Sequence, residues 1–228
     1  MKIENYFDFS SNFSSGTSAI LSKKEIIPKE IQHNEKVFLF SNMFNFKTNK
    51  ITIPSQTHSD NCQIVKKNGS YLDTDGLITD NLNLILSLSV ADCCPIYIED
   101  TRNNSFGLIH SGWKGTANKI VLNAVNIFIE NGSNISDLTI YLGPTICECW
   151  YEVGVEVAVL FDKICKLYIG PSKFYINIKG QIILNSGICI NQITSSNICT
   201  FEDKDCESYR RDSVNSGRMI ALFGKFSI

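Results

Sequence analysis

Three histidines occur among the 228 residues, at positions 33, 58 and 110, and two of them stand beside other groups that can do chemistry. His58 lies in Ser55-Gln56-Thr57-His58-Ser59-Asp60, just after the apolar run Ile51 to Ile53. His110 ends the run Phe106 to His110 and leads through Ser111-Gly112-Trp113-Lys114-Gly115 into a helical pattern. Between the two, the apolar stretch Leu84 to Val90 stops at Ala91-Asp92-Cys93-Cys94-Pro95. Ligand-competent residues at the ends of apolar strands are where backbone geometry can aim side chains into a pocket. Two imidazoles and one thiolate match the donor set of catalytic zinc sites, which keep a fourth position open for water or substrate. Cys93 and His110 are also the minimum pair for a cysteine hydrolase, the thiol as nucleophile and the imidazole as base. No short zinc-binding pattern spans the three residues, so spacing alone leaves both readings open. The pleat of an extended segment sends Asp92 and Cys94 away from anything Cys93 holds. Cys93 is therefore the expected ligand and Asp92 a hydrogen-bond partner of backbone.

Short runs rich in Ile, Val, Leu, Phe and Tyr must carry these residues. Val37 to Phe40, Leu84 to Val90, Pro95 to Ile98, Phe106 to His110 and Leu138 to Leu142 read as strands. From Gly115 to Glu130, Val121, Val125 and Phe128 recur at helical spacing and Asn131-Gly132 supplies a stop, which predicts an amphipathic helix on a sheet. Weaker helical patterns run from Val155 to Lys166 and from Asn185 to Gln192. Strands outnumber helices, which favours an α+β fold. No repeat, linker or low-complexity block divides the chain, so residues 1–228 read as one domain.

Composition narrows the partners. Apolar residues make up 43% of the chain and charged residues 19%, as in a protein with a sizeable core. A net charge of -2 with no long Lys/Arg run excludes a nucleic-acid surface and points to a small-molecule substrate. The amino terminus lacks the apolar core of a signal peptide and no segment has the length of a membrane helix, so the expected location is the cytoplasm, away from membranes. The nine cysteines are odd in number and read as reduced. Six of them, Cys147, Cys149, Cys165, Cys189, Cys199 and Cys206, have no paired C-x-x-C spacing, and the expectation is buried free thiols.

Five segments occur in the order found in YfiH-like proteins, a family also catalogued as laccase-domain or polyphenol oxidase-type, which the chain resembles over about positions 50 to 225. They are Gln56-Thr57-His58, Ala91-Asp92-Cys93-Cys94-Pro95, His110 to Gly115, Gly143-Pro144 through Gly154, and Ser208-Tyr209-Arg210-Arg211-Asp212. The resemblance implies a single-domain layered αββα sandwich of mixed sheets and one metal held by His58, Cys93 and His110. It implies zinc-dependent phosphorolysis of purine nucleosides (adenosine, inosine, guanosine, methylthioadenosine), with adenosine deamination as a further activity. An older family label implies copper-dependent phenol oxidation, but a multicopper cluster needs far more imidazoles than three. Phosphate as co-substrate would need cationic contacts, for which Lys114, Arg210 and Arg211 are the candidates. No Arg precedes position 102, where relatives place one upstream, so the source of phosphate binding is an open point.

Overall fold

The computed structural model describes residues 5–24, 26–44 and 48–227. Two six-stranded mixed sheets lie face to face. The first runs in the order Tyr6–Asp8, Thr17–Ser22, Met219–Lys225, Ile85–Val90, Ile51–Pro54, Gly69–Tyr71. The second runs Ile193–Ser195, Leu138–Leu142, Cys94–Asp100, Ser105–Ser111, Gly76–Thr79, Cys62–Ile64. Leu86, Leu88 and Phe223 of the first sheet and Leu77, Tyr97 and Leu108 of the second fill the space between them. The helix His33–Asn42 covers the outer face of the first sheet through Val37 and Phe40, and the helices Ile120–Glu130 and Ile178–Ser186 cover the second through Val121, Phe128 and Ile182. The order of layers is thus helix, sheet, sheet, helix, an α+β architecture. Leu84 to Leu86 is continuous apolar, while Ser87 and Ser89 alternate with Leu88 and Val90 on the rest of Ile85–Val90, whose Leu86, Leu88 and Val90 face the space between the sheets. A small third sheet joins Glu152–Gly154, Lys173–Ile176 and Lys166–Gly170. Among the described residues no helix is long and apolar enough to cross a membrane.

Four element readings are corrected. Val37 to Phe40 belongs to the helix His33–Asn42, whose start is tied by the Gln32 amide donating to the Glu35 carboxylate at 2.9 Å. Its buried positions Val37, Phe40 and Ser41 follow helical spacing, but a run of four apolar residues is too short to declare a period. The segment Gly115 to Glu130 is two helices, Trp113–Ala117 and Ile120–Glu130, broken where Lys119 takes a left-handed conformation at φ 62°. Only Val155–Ala158 of the next pattern is α-helical, and Lys166 already starts a strand. The third helix is Ile178–Ser186, ended by Gly187 at φ 67°, with a 3₁₀ turn at Ile190–Gln192 beyond it.

Strand register places the chemistry. Cys94–Asp100 pairs antiparallel with Ser105–Ser111, with Cys94 opposite Ser111 and Pro95 opposite His110. Gly76–Thr79 pairs with the other side of Ser105–Ser111, with Gly76 opposite Ile109, so the residue before it, Asp75, meets His110. Three neighbouring strand ends therefore deliver Cys93, His110 and Asp75 to one edge, and the segment after Ile51–Pro54 brings His58 from the other sheet.

Candidate active site

The donor atoms of His58, Cys93 and His110 all lie within 4.8 Å of one another. The two imidazole rings are 4.8 Å apart between centroids and nearly perpendicular, at 78°. His58 is exposed, Cys93 partly buried and His110 only 3% exposed. Gly112 is what lets them meet. A Cβ at that position would stand 2.9 Å from Cys93 Sγ and 3.2 Å from His58 Cδ2, so any side chain would wedge two of the donors apart.

One buried carboxylate organises the rest. Asp75 accepts from His110 Nδ1 at 2.7 Å, which fixes the tautomer and leaves Nε2 for the site. It also accepts from the backbone amides of Thr57, His58 and Ser59 at 3.1, 3.1 and 2.8 Å and from Ser59 Oγ at 2.8 Å. Three consecutive amides turned to one anion form a nest, and His58 at its centre takes φ 59°, a conformation an unaided imidazole side chain rarely adopts. Burial pushes the Asp75 carboxyl up, but His110 and Ser59 outweigh it and hold it well below the usual carboxylate range. Gln56 fastens the same segment from the other side, donating to Ser89 O and accepting from Ser89 N, both at 2.8 Å.

Behind Cys93, Asp92 sits at φ 76° and faces away from the donors, accepting from Thr200 Oγ1 at 2.6 Å and from the Arg210 amide at 2.7 Å. Cys94 is fully buried and its thiol points to the Gly143 carbonyl, away from the cluster, as the pleat requires.

Burial pushes the Cys93 thiol up, yet His110 and His58 outweigh it and bring it down to about 6. For His110, burial pushes the imidazolium down while Cys93 and Asp75 raise it to about 9. The metal-free pair is a thiolate facing an imidazolium between those values. A metal cation taking both donors must expel the proton on His110, so the pair releases one proton per cation between pH about 6 and about 9. Below about 6 the thiol proton leaves as well, and above about 9 neither is released. Calorimetry of zinc binding in buffers of different ionisation enthalpy reads this count, and a count that does not change with pH overturns the pairing.

All three donors line a cavity of about 790 Å³. Arg210 lines it too, its guanidinium donating to Glu152 O at 2.8 Å and lying 5.0 Å over the Tyr151 ring. Arg211 is not among the lining residues. Its guanidinium is spent on the carbonyls of Thr200, Phe201 and Cys206 and on Asp212, where it ties the carboxy-terminal loops together. Lys114 is exposed, stands 5.5 Å over the Trp113 ring and does not line the cavity either. Trp113 does both jobs its sequence position allows, lining the cavity and packing on the core under the second sheet.

Three basic residues to which the sequence reading gave no role line the same cavity: His33, Lys36 and Arg218. Lys36 is 8% exposed, and its ammonium is pushed down by burial and then by Arg218. His33 is pushed down by burial and by Lys36, and its Nε2 is the one buried side-chain nitrogen or oxygen without a hydrogen-bond partner among the described residues. The signal of His33 and Lys36 was hidden because Val37 to Phe40 read as a strand, which puts both outside any helix facing the site, and Arg218 is brought there only by the fold.

The sequence model of the family described as "Multi-copper polyphenol oxidoreductase laccase" matches residues 24–225. The chain belongs to this laccase-like family. A purine nucleoside phosphorylase of Clostridium acetobutylicum is 33% identical over 202 residues, covering 84% of this chain and 83% of that one. The protein named adenosine deaminase RL5, from an unknown prokaryotic organism, is 26% identical over 189 residues, covering 74% and 72%. Among solved structures, the hypothetical protein YfiH of Bacillus licheniformis superposes with a TM-score of 0.84 at 27% identity, covering 92% of this chain and 93% of that one. The laccase-like family implies metal binding, and His58, Cys93 and His110 are one of two groups among the described residues whose donor atoms could hold an ion.

Proposed function

We propose that this chain is a zinc-dependent purine nucleoside phosphorylase, its metal held by His58, Cys93 and His110. The observation that carries the reading is that one cavity contains the metal-competent donors together with Lys36, Arg210 and Arg218. A site with both a soft donor set and several cations suits a reaction that consumes an anion. The relatives named purine nucleoside phosphorylase support the same choice. A donor set of one thiolate and two neutral imidazoles fits zinc, whereas three histidines in the whole chain cannot supply a multicopper cluster.

When bound, zinc supplies positive charge that polarises an oxygen of phosphate or water. The chain's own residues do the rest. Lys36 and Arg218, with Arg210 beside them in the cavity wall, hold and orient phosphate. Tyr151 and Trp113 offer flat apolar surface to a purine ring. A phosphate oxygen forms a bond to the anomeric carbon as the C–N glycosidic bond breaks, and the electron pair of that bond leaves with the purine, which takes a proton from solvent. Asp75 touches no substrate; it holds His110 and the His58 backbone in place.

A second reading has one observation behind it, the approach of Cys93 and His110 donor atoms to within 4.8 Å, with the thiol pushed down and the imidazole pushed up by each other, as a cysteine hydrolase needs. His58 argues for metal, since a nucleophile and base need no third donor in contact. The test is base release from adenosine and inosine with and without phosphate, on protein of measured metal content, beside a Cys93→Ala variant. The expected outcome is about one zinc at this site and phosphate-dependent base release, both lost in the variant. Turnover that survives chelation but not thiol alkylation replaces the phosphorylase with the hydrolase. Release of ammonia from adenosine without phosphate assigns deamination instead.

A further inference from the structure

A second cluster of donors lies outside the cavity. Cys147 Sγ is 3.0 Å from Cys149 Sγ and 2.8 Å from Cys199 Sγ. The donor atoms of Cys147, Cys149 and Glu202 all fall within 4.8 Å of one another. In sequence the four residues form two spaced pairs, Cys147-Glu148-Cys149 and Cys199-Thr200-Phe201-Glu202, each on its own loop. The loops are fastened to each other by the bridge between Thr145 and Cys199 and by the Thr200 amide donating to Thr145 O at 3.1 Å.

The surroundings are those that metal ligands carry. The Cys147 amide donates to Cys199 Sγ at 3.2 Å, and Trp150 Nε1 donates to Glu202 Oε1 at 2.7 Å, which aims the carboxylate. Trp150 is itself held by stacking on Phe201 at 4.5 Å. Neutral thiols gain little from crowding closer than ordinary non-bonded contact, so a Cys147 sulfur pressed on both Cys149 and Cys199 needs a reason other than packing; Cys199 Sγ itself lies outside the 4.8 Å set of the other three donors. The absence of a C-x-x-C pattern hid this cluster, because one pair is C-x-C and the other ends in a carboxylate.

We propose that Cys147, Cys149, Cys199 and Glu202 form a second metal site, for a thiophilic divalent cation of the zinc class. Two ligand pairs from two loops make a closed, structural arrangement, unlike the three-donor set of the cavity. Binding would spread Cys147 from its two sulfur neighbours, since zinc–sulfur bonds of about 2.3 Å set thiolates in a tetrahedron farther apart than these contacts, and would draw Cys199 toward Cys149 and Glu202. The loop it fixes runs on through Trp150 and Glu152, whose carbonyls accept from Arg210, and through Tyr151, which lines the cavity. The second cation would therefore set one wall of the first site.

The decisive protein is the full chain carrying Cys93→Ala and His110→Ala, purified under reductant, stripped with chelator and reconstituted with zinc. It is expected to retain about one zinc per chain by elemental analysis, and adding Cys149→Ser and Glu202→Gln should take that to near zero. In the otherwise native chain Cys149→Ser should lower the content from about two to about one, so failure here is distinct from failure at the cavity site. Cadmium titration of the unmutated chain supplies a readout independent of how the variants fold. The cavity set offers one thiolate per cation and the loop set three, so the two equivalents should differ about threefold in thiolate-to-metal absorbance. A reconstituted double variant without zinc, a single class of cadmium site with one thiolate, or a disulfide among the three cysteines in reduced protein overturns the proposal.

Discussion

An Asp75→Asn variant is expected to lose metal affinity at the cavity site by about 10- to 100-fold, as removal of a ligand-orienting partner generally does. It should also lose about 3–5 kcal/mol of stability, the usual cost of breaking a buried charged pair. An amide in place of the carboxylate has one acceptor where two are in use. If its oxygen keeps His110, the new NH2 faces the amides of Thr57 and Ser59; if it keeps those amides, the NH2 faces His110 Nδ1. Either way buried donors are left facing a donor, each costing about 1–3 kcal/mol. The pH dependence separates this from a general loss of packing. The Asp75 carboxyl is held below its usual value in the folded chain, so its contribution is fully present above that usual value, about 3.9, and is lost as pH falls through the lower folded value. The stability gap between native and variant protein should thus be full at neutral pH and close in acid. Urea unfolding of metal-stripped protein at several pH values measures it, and a gap that persists unchanged in strong acid would show that Asp75 acts through packing alone.

Asp75 also marks the limit of what the sequence discloses. His58, Cys93 and His110 announce themselves because each ends an apolar run, and a scarce residue type at a strand end draws the eye. Asp75 stands in Asp73-Thr74-Asp75-Gly76, which reads as an ordinary turn, and only the pairing of Gly76–Thr79 with Ser105–Ser111 reveals what it faces. The layered α+β fold was legible for a related reason. Cys94–Asp100 is buried along its whole length and Ile85–Val90 at every position but Ser89, so their composition carries the signal without any help from neighbours. Where the local signal was weak, it misled. Val157, Phe161 and Ile164 set the helical spacing, but only Val157 and Phe161 reach the core, Ile164 is exposed, and the helix stops at Ala158. Lys119 breaks the long helix by a left-handed turn that no glycine announces. The basic cluster suffered most: His33 and Lys36 come from the amino-terminal third and Arg218 from the last strand's approach, joined only by the folded cavity. Under the proposed function these cations would stand in for the upstream arginine that the sequence lacks.

Those cations lead to the second large effect. Lys36→Met and Arg218→Gln are each expected to raise the KM for phosphate at least about 10-fold, since a hydrogen bond to a charged group contributes about 1.5–3 kcal/mol. Lys36 Nζ donates to Lys29 O at 2.9 Å, which aims the ammonium without neutralising it. Burial and then Arg218 push that ammonium down against the opposing pull of Glu207 and Glu30, so a phosphate dianion would relieve the repulsion that is left. The sign of the pH effect follows. Only the charged lysine attracts phosphate, so affinity should fall on the alkaline side earlier than an ordinary lysine would allow, and Lys36→Arg should move that fall upward. Stability should respond in the opposite sense to activity. A buried cation beside another cation is a folding cost, and a Met of similar length keeps the apolar contacts, so Lys36→Met should leave the unfolding midpoint unchanged or higher. Because the two cations are adjacent, the double variant should lose less than the product of the single losses. Initial rates over a matrix of phosphate and inosine concentrations decide the matter. A rise in the nucleoside KM with that for phosphate untouched would place the sugar or the base, rather than the anion, against Lys36 and Arg218.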